Sequence, residues 1–420
     1  MRERTLFAED AWLGSGWASG VHFTFDEFGR IEAIETGREA TGAPLAGGPV
    51  IPAIGNVHSH AFQRAMAGLT EKSGAGEDSF WTWREVMYAF LDSLTPDDLE
   101  AIAAQLYLEM LKSGYCAVGE FHYLHHDGDG HPYANRAEMG MRIVQAAEKT
   151  GISVTLLPVL YGYGGFGGRE ASQAQRRFLN SPEGYAKLLE ALSSATAGME
   201  EVRLGIAPHS LRAVTNETLH EAISLIDGID PTAPIHIHIA EQVKEVEDCL
   251  EWSGLRPVQW LLESFGLSER WCLVHATHMT SEETLGLAGS GAVAGLCPTT
   301  EANLGDGFFP AAQYQEAAGA FGIGSDSHVS VSPLEELRWL EYGQRLHHRK
   351  RNVLSGGAQR STGSTLYKDA LKGGAQALGR SSGALEVGRK ADLLVLDDRS
   401  PILCHRSGDA LLDSLIFSGN

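Results

Sequence analysis

Two histidines separated by one residue follow an apolar, glycine-containing stretch early in the chain. The stretch covers residues 52–57 and ends in His58, Ser59 and His60. Alternate side chains of a β-strand point to the same face, so both imidazoles would lie on one side of an extended backbone. Imidazole nitrogen suits zinc and neighbouring divalent metals. A single His-x-His pair is equally typical of structural histidines at a strand end, so a metal site needs further ligands from elsewhere in the chain.

Other histidines and carboxylates stand where later apolar runs end. These are His209, His238, His275 and Asp326, and Glu241 follows His238 at an H-x-x-E spacing. Three imidazoles and one carboxylate are enough for one metal ion, and a further carboxylate and imidazole would lie beside it. The alternative, unrelated polar residues at five strand ends by chance, is the weaker interpretation.

The segments that would position these residues alternate between strand and helix patterns. A helix is predicted after Thr95, where Pro96 and Asp98 complete a capping box. Strands alternating with helices indicate a parallel sheet, and eight such units predict a (β/α)8 TIM-like barrel of the α/β class. An open doubly wound sheet is the alternative, but no G-x-G-x-x-G motif follows the first strand. Besides the strand ending at His60, the predicted strands are residues 116–121, 154–159, 202–207, 235–239, 272–275, 292–297 and 320–324.

A second, smaller unit is predicted from the two ends of the chain. Residues 1–48 contain short alternating stretches separated by glycine and charged turns, and residues 383–397 form a turn followed by an apolar strand. We therefore expect a small β-sandwich domain from residues 1–48 and 380–420, and a barrel domain from residues 49–379.

Composition restricts the partners and the location. The net charge of -21 argues against nucleic acid and anionic membrane, which both need a positive surface. No apolar run approaches the roughly 20 residues of a membrane span, and the N-terminus lacks the pattern of a secretory signal. The five cysteines are scattered without a C-x-x-C pair and are expected to be reduced. A cytoplasmic protein with a small-molecule substrate is the expectation.

The strand-end residues resemble those of the amidohydrolase superfamily, in its aminohydrolase branch with one metal. The resemblance rests on H-S-H at 58–60, H-x-x-E at 238–241, L-V-H-A-T-H at 273–278, G-I-G-S-D-S-H at 322–328 and G-x-x-A-D-L-L-V-L-D at 388–397. It implies one divalent metal ion, expected to be Zn²⁺, and it implies these ligands: His58, His60, His238 and Asp326. It also implies that Glu241 and His275 flank the attacking water, with Asp326 and Glu241 moving protons and His275 stabilising developing charge.

Longer motifs are similar to superfamily members that hydrolyse N-formimino-L-glutamate to N-formyl-L-glutamate and ammonia in histidine degradation. They lie at residues 58–64, 81–84, 120–123, 207–212 and 297–304. The similarity implies the substrate-binding residues Gln63, Arg84, Tyr123, His209 and Arg212. Two arginines favour a dicarboxylate, because a guanidinium matches a carboxylate in two-point contact. The alternatives are the same chemistry on a purine, pyrimidine or triazine, and a catalytically inactive scaffold, which the intact ligand set disfavours.

Three other features receive a structural interpretation. His236 lacks the H-x-x-E spacing and is expected in the core. The cluster at residues 125–131 is expected to form a solvent-exposed turn, and the glycine-rich residues 161–168 are expected to form a mobile lid. We also expect a homodimer, which no residue pattern specifies. The chain ends at Asn420, where relatives commonly continue with further strands of the small domain, so either the sequence is short or the small domain is trimmed.

Overall fold

The computed structural model describes residues 4–72 and 80–419, without the side chains of Phe80 and Trp81. Trp81 of the motif at 81–84 therefore lies outside the described side chains. The strands are β1 (Thr5–Leu13), β2 (Gly16–Phe25), β3 (Ile31–Glu35), β4 (Val50–Pro52), β5 (Ile54–Ser59), β6 (Tyr115–His122), β7 (Ser153–Leu160), β8 (Val202–Leu204), β9 (Ala207–Pro208), β10 (Ile235–Ile239), β11 (Trp271–His275), β12 (Val293–Leu296), β13 (Ala320–Ile323) and β14 (Leu393–Val395).

Helices follow most of the barrel strands. They are α1 (Phe80–Leu91), α2 (Pro96–Ser113), α3 (Glu138–Thr150), α4 (Pro182–Thr196), α5 (Asn216–Ile229), α6 (Val243–Ser253), α7 (Pro257–Ser264), α8 (Ser281–Ser290), α9 (Pro298–Leu304), α10 (Ala311–Glu316), α11 (Pro333–His348), α12 (Thr362–Ala377) and α13 (Asp409–Ser418). Two short 3₁₀ turns cover Ala61–Met66 and Gln173–Gln175. Within the described residues, no helix has both the length and the apolar character needed to cross a membrane.

The central element is a parallel sheet that closes on itself. Its strands run in the order β10-β11-β12-β13-β5-β6-β7-β8, and β9 continues the edge beside β7. Bridges between Ile206 and Ile235 and between Ser210 and His238 join the two edges. Counting β8 and β9 as one broken strand, the ring has eight members, so the predicted (β/α)8 barrel is confirmed. The predicted strand at 202–207 is interrupted, because only its two ends have strand pairing.

Most of the barrel strands are buried on both faces, as is typical of parallel strands covered by helices, while β8 is half-buried. Every residue of β6 and β7 is buried. The helix predicted after Thr95 is confirmed: Thr95 and Asp98 form the capping box, and Gly114 ends the helix with φ of 108°. A left-handed φ of this size suits glycine, which has no Cβ to clash. The helix therefore ends just before β6 and feeds the chain back into the barrel.

The small unit is a single sheet in the order β14-β4-β1-β2-β3. Its own core contains Val21, Phe23 and Val50. Both ends of the chain contribute to this sheet, because β14 pairs with β4 and a bridge joins Arg30 to Lys390, although β4 lies just beyond the expected boundary at residue 48. We expected a two-layered sandwich, but the described residues form one five-stranded sheet. The remainder of the segment 380–420 includes α13, whose Ile416 carbonyl accepts from Arg338 Nε on α11 at 2.5 Å. The proposed division into two domains stays a prediction.

The prediction of an exposed turn at residues 125–131 is wrong for its first two histidines. His125 Nε2 lies 2.9 Å from the Val159 carbonyl oxygen, and His126 Nε2 lies 2.7 Å from that of Leu179. Both rings are buried, with residue exposures of 3% and 6%. Only the following residues form a turn, in which the Asp127 carboxylate accepts from backbone N–H groups. Backbone carbonyl groups of neighbouring segments satisfy these buried ring nitrogens, and no local sequence pattern predicts such contacts.

Candidate active site

Four side chains converge at the carboxyl ends of the barrel strands. His58 Nε2 lies 3.1 Å from His60 Nε2 and 2.9 Å from His238 Nε2. Asp326 Oδ1 lies 3.4 Å from the first of these nitrogens and 3.3 Å from the second. All four residues are buried. The ligand atoms of His58, His60 and Asp326 lie within 4.8 Å of one another, so this group could hold a metal ion.

The hydrogen bonds at the far side of these rings fix where their lone pairs point. His60 Nδ1 lies 2.9 Å from the Phe121 carbonyl oxygen, and His238 Nδ1 lies 3.0 Å from that of His209. A carbonyl only accepts, so both Nδ1 atoms carry the hydrogen and both Nε2 atoms present lone pairs in the neutral rings. Burial, followed by the charge of His60, lowers the pKa of His58 to about 3, so this ring is also neutral.

The Nε2 atoms of three neutral imidazoles meet at one point, and those of His60 and His238 present lone pairs there. A proton on His58 Nε2 would satisfy only part of the cluster, whereas a divalent ion would satisfy all three rings and the carboxylate. Asp326 supplies the negative charge: although its burial opposes ionisation, the hydrogen bond with His58 holds the pKa of this carboxyl well below its usual range. The residues present therefore fit a metal with nitrogen and oxygen ligands.

A carboxylate and an imidazole lie beside the ligand cluster. His275 Nε2 lies 3.8 Å from Glu241 Oε1 and 3.9 Å from Asp326 Oδ2. Burial raises the pKa of Glu241 to about 7. Burial alone would lower the pKa of His275, but the charge of Glu241 and the hydrogen bond to Glu301 raise it to about 10. Both groups can therefore carry a proton near neutral pH, which suits general acid and base catalysis.

A buried glutamate orients His275 from behind. Glu301 Oε1 lies 3.2 Å from His275 Nδ1 and accepts from the Cys297 backbone N–H at 2.9 Å. Because this contact occupies Nδ1, the other ring nitrogen faces the cluster. Glu301 is the fourth residue of α9, directly after β12. The motif at 297–304 contained it, but sequence reasoning gave it no role because nothing in the spacing showed that α9 would bring it to His275.

The backbone turns sharply where these side chains leave the strands. Ala240, His275, Ala276, Asp326 and His328 all have φ between 45° and 70° although none is glycine. This left-handed region is uncommon and unfavourable for residues with a Cβ, and such residues concentrate at functional sites. Three of the five lie at the ends of β10 and β11, and the other two follow β13. The strain accompanies the placement of catalytic groups at the barrel mouth.

All five predicted substrate-binding residues line one cavity with the cluster. The residues lining it include both the cluster group His60, His238, Glu241, His275 and Asp326 and the predicted substrate-binding residues Gln63, Arg84, Tyr123, His209 and Arg212. Contacts run from His238 through the His209 ring to Tyr161, which Arg84 binds, so Arg84 lies on the side away from the cluster. Gln63 Nε2 donates to the Tyr123 hydroxyl at 2.9 Å. Burial and then the charges of Arg212 and Arg84 hold the pKa of His209 well below its usual value. The structure thus brings together every predicted site residue, with two guanidinium groups close to His209.

Residues that sequence reasoning missed surround Arg84. Its Nε donates to the Tyr88 hydroxyl at 2.5 Å, and its Nη2 donates to the Tyr161 hydroxyl at 2.9 Å. Gln175 Nε2 donates to the same Tyr161 oxygen at 2.6 Å. Tyr161 begins the segment expected to be a lid, so its aromatic character was the available signal. Whether residues 161–168 move stays a prediction.

His236 behaves as expected for a core residue. It is buried on β10, and its Nε2 lies 2.8 Å from the Ala377 carbonyl oxygen. Its neighbour two residues on, His238, belongs instead to the ligand cluster. The H-x-x-E spacing therefore separated the two histidines correctly.

Comparison with known proteins places this site in a family. The amidohydrolase family model matches residues 50–420, which include the whole barrel. This chain belongs to the amidohydrolase family. A second model, described as the N-terminal domain of formimidoylglutamate deiminase HutF, matches residues 3–44 in the small sheet. The expected superfamily membership is confirmed.

Similarity to individual proteins agrees with this family membership. The chain is 56% identical over 99% of its length to a formimidoylglutamate deiminase of Pseudomonas aeruginosa, covering 90% of that protein. An 8-oxoguanine deaminase of the same species is 28% identical over 88% of this chain and 76% of the relative. A crystal structure of an amidohydrolase from Brucella melitensis superposes with a TM-score of 0.95 at 51% identity, covering 99% of this chain and 91% of that one. A zinc-bound adenosine deaminase from Xanthomonas campestris, at 20% identity and a TM-score of 0.79, covers 98% and 88% of the two chains and shows the shared fold alone.

Proposed function

We propose that this chain is a formimidoylglutamate deiminase, which hydrolyses N-formimino-L-glutamate to N-formyl-L-glutamate and ammonia in histidine degradation. The similarity to the deiminase of Pseudomonas aeruginosa, at 56% identity over 99% of the chain, supports this activity. The observation that carries the proposal is the cavity, whose lining joins a metal-ligand cluster to two arginines, Arg84 and Arg212. Two cationic groups in the same cavity as a hydrolytic centre suit a substrate that carries two carboxylates as well as the reactive group.

The proposed cofactor is one divalent metal ion, zinc, held by His58, His60, His238 and Asp326. A nitrogen-rich set with one carboxylate favours zinc over magnesium or calcium, which prefer oxygen ligands. Such an ion would supply a Lewis acid that makes water nucleophilic at neutral pH.

The protein's own groups would manage the protons. Asp326 stays ionised, and its Oδ2 can accept a proton from the attacking water. Glu241 can carry a proton to the departing nitrogen, because its pKa of about 7 lets it both accept and release one. His275 Nε2 points toward the carboxylates of Glu241 and Asp326. It would stabilise the negative charge that develops on the oxygen added to the formimino carbon. Water adds to that carbon, the bond to the terminal nitrogen breaks, and ammonia leaves.

Substrate selection would come from the other end of the cavity. Arg84 and Arg212 would each bind one carboxylate of the glutamate moiety, since a guanidinium matches a carboxylate at two points. Gln63, Tyr123 and His209 lie between the arginines and the cluster and would position the formimino group. The Tyr123 hydroxyl is held by Gln63 Nε2 and lies 3.4 Å from Met87 Sδ. This arrangement would keep the ring beside His60, at a centroid distance of 5.0 Å.

The proposed setting is the cytoplasm, with a small molecule as substrate and neither nucleic acid nor membrane as partner. The net charge of -21 supports this, because both excluded partners are themselves anionic.

We also propose a homodimer that forms through α11. Trp339, Tyr342 and Leu346 on this helix are 44%, 36% and 71% exposed, and they recur at helical spacing. Light scattering should find a dimer at micromolar concentration, and Leu346→Glu should shift the mass toward the monomer. A monomeric wild-type protein at the same concentration would contradict the assembly.

An ammonia-release assay on the zinc-loaded protein tests the activity. N-formimino-L-glutamate should be turned over well, while N-formimino-glycine and N-formimino-L-glutamine, which lack the side-chain carboxylate, should be poor substrates. Faster ammonia release from a purine, pyrimidine or triazine, or equal rates with the truncated analogues, would refute the proposed function.

A further inference from the structure

The surroundings of Arg84 contain two hydroxyl groups whose hydrogens have no acceptor in the described part of the chain. Tyr161 receives hydrogen bonds from Arg84 Nη2 and from Gln175 Nε2. A guanidinium can only donate, so the Tyr161 oxygen accepts in the first contact. The second contact has the same direction, because the Gln175 amide nitrogen faces Tyr161.

The orientation of that amide follows from its other end. Gln175 Oε1 accepts from the Ser172 backbone N–H at 2.8 Å and from the Ser172 hydroxyl at 3.1 Å. A backbone N–H can only donate, so the atom facing it must be the amide oxygen, and the amide nitrogen must face Tyr161. Gln175 is 4% exposed, which leaves it little room to turn. Both lone pairs of the Tyr161 oxygen are therefore in use.

Tyr161 must then direct its own hydrogen away from Arg84 and Gln175. The residue is 4% exposed and lines the active-site cavity. Its ring lies 4.6 Å from that of His209, centroid to centroid, so the hydroxyl is held in place at the cavity wall. A buried hydroxyl whose hydrogen lacks an acceptor is unfavourable, so an acceptor in the cavity is expected.

Tyr88 repeats the arrangement from the other side of Arg84. Its hydroxyl oxygen accepts from Arg84 Nε at 2.5 Å, so its hydrogen also points elsewhere. Burial, and then the charge of Tyr161, raise the pKa of Tyr88 well above its usual value, so the hydroxyl stays protonated and remains a donor. Arg84, Tyr88 and Tyr161 together thus present only donors.

We propose that Tyr88 and Tyr161 donate their hydroxyl hydrogens to the same substrate carboxylate that Arg84 binds. This inference rests on the proposed function and adds the chemistry of one subsite. A group of donors with no acceptor selects an ionised carboxylate over a carboxamide of the same shape, because the amide nitrogen would face another donor. Tyr88 and Tyr161 would then contact the substrate and determine specificity. Gln175 would be a positioning residue, because its hydrogen bond to the Tyr161 oxygen directs the hydroxyl hydrogen toward the cavity.

Tyr161→Phe in the full-length, metal-loaded enzyme is the first test. It removes the hydrogen and keeps the ring, so kcat/KM for N-formimino-L-glutamate should fall roughly ten-fold, mainly through KM, with the metal content unchanged. Tyr163→Phe, in the same loop but outside the cavity lining, is the matched control and should match wild type. Tyr88→Phe should behave like Tyr161→Phe.

A second measurement separates direct contact from an effect through Arg84. Tyr161→Phe is introduced into an Arg84→Met background and kcat/KM is compared across the four proteins. Direct donation predicts a further loss of several-fold in that background. No further loss would show that Tyr161 acts only by holding Arg84, and would overturn the proposal.

Substrate analogues complete the test. Arg84→Met is first assayed with N-formimino-L-glutamine, which lacks the side-chain carboxylate, and with N-formimino-4-aminobutyrate, which lacks the α-carboxylate. The analogue whose rate does not change in Arg84→Met is the one that lacks the carboxylate bound by Arg84. Tyr161→Phe should leave the rate with that analogue unchanged. An equal loss with both analogues would refute the proposal. If wild-type enzyme releases ammonia and Tyr161→Phe matches it, this inference alone fails; if wild type is inactive on N-formimino-L-glutamate, the proposed function fails as well.

Discussion

The two ends of the active-site cavity are built from different parts of the fold. The ligand cluster and its neighbour lie at or near strand ends: His58 is the last residue but one of β5, His238 the last but one of β10, and His275 ends β11. At the other end, Arg84 lies on α1, and Tyr161 and Gln175 lie in the segment that follows β7. The first group is fixed by the sheet itself, and the second is held by side-chain hydrogen bonds between separate loops.

This difference bears on which part of the cavity supplies the chemistry and which part selects the substrate. Strand ends in a closed barrel are held by the sheet hydrogen bonds, so groups placed there keep their geometry while loops vary. An 8-oxoguanine deaminase at 28% identity carries the name of a purine deaminase, and so does an adenosine deaminase at 20% identity that shares the fold. We infer that the strand ends supply the hydrolytic chemistry and the loops supply the choice of substrate. Variants at the two ends should fail in different ways.

The largest effect should come from the ligand cluster. His238→Ala removes one of three imidazoles, so the protein should lose its metal, and kcat/KM should fall by on the order of 10³-fold or more, because a bound metal contributes several kcal/mol of transition-state stabilisation. Elemental analysis and the ammonia assay measure both. The matched control is His236→Gln on the same strand, which should retain metal although it disturbs a core hydrogen bond. Normal metal content and activity in His238→Ala would remove this residue from the site.

A smaller effect is expected at the carboxylate end. Arg212→Met should lower kcat/KM for N-formimino-L-glutamate by roughly 10²-fold, since a substrate carboxylate would be left poorly paired in a partly dry cavity. Metal content should stay normal, in contrast to His238→Ala. Arg169→Met, at an exposed position outside the cavity, is the control for loss of a positive charge. Metal loss in Arg212→Met would contradict the separation of the two ends.

The smallest of these effects should come from the residue behind His275. Glu301→Gln keeps an oxygen near His275 Nδ1 but removes the negative charge, so kcat should fall by about ten-fold, at the lower limit for groups that orient an active-site histidine. KM and metal content should hardly change. Glu316→Gln, an exposed glutamate on α10, controls for the change in net charge. A Glu301→Gln enzyme with altered KM and normal kcat would show that Glu301 affects substrate binding, and would contradict its assignment to orienting His275.

The sequence predicted the strand ends better than the loops, for a physical reason. Short apolar runs locate strands locally, and a closed barrel then brings their ends together, so His58, His238 and Asp326 could be grouped without coordinates. Glu301 and Gln175 reach their partners through contacts between segments far apart in sequence. The buried His125 ring is hydrogen-bonded to the carbonyl group of Val159, which lies on β7. No local pattern encodes such contacts.

Helix α13 was missed for a related reason. The sequence places residues 380–420 in the small unit, because the apolar stretch at 393–396 predicts a strand of that sheet. The final helix instead packs against α11 and α12, where the Asp413 carboxylate accepts from the Gly363 backbone N–H at 2.7 Å. That contact holds the end of the described chain on the barrel, and its existence depends on a groove between helices that the sequence does not show.

The most direct test of the division between the two ends is a pair of substrate ratios. The kcat/KM for N-formimino-L-glutamate is divided by that for N-formimino-L-glutamine and, separately, by that for N-formimino-4-aminobutyrate, in wild type, in Glu241→Gln and in Arg84→Met. Glu241→Gln should lower all three rates by roughly 10²-fold or more, the scale of a general acid or base, and leave both ratios unchanged. Arg84→Met should sharply reduce the ratio to the analogue that lacks the carboxylate bound by Arg84, while the metal content stays normal. A ratio that falls in Glu241→Gln, or two ratios that persist in Arg84→Met, would contradict this division.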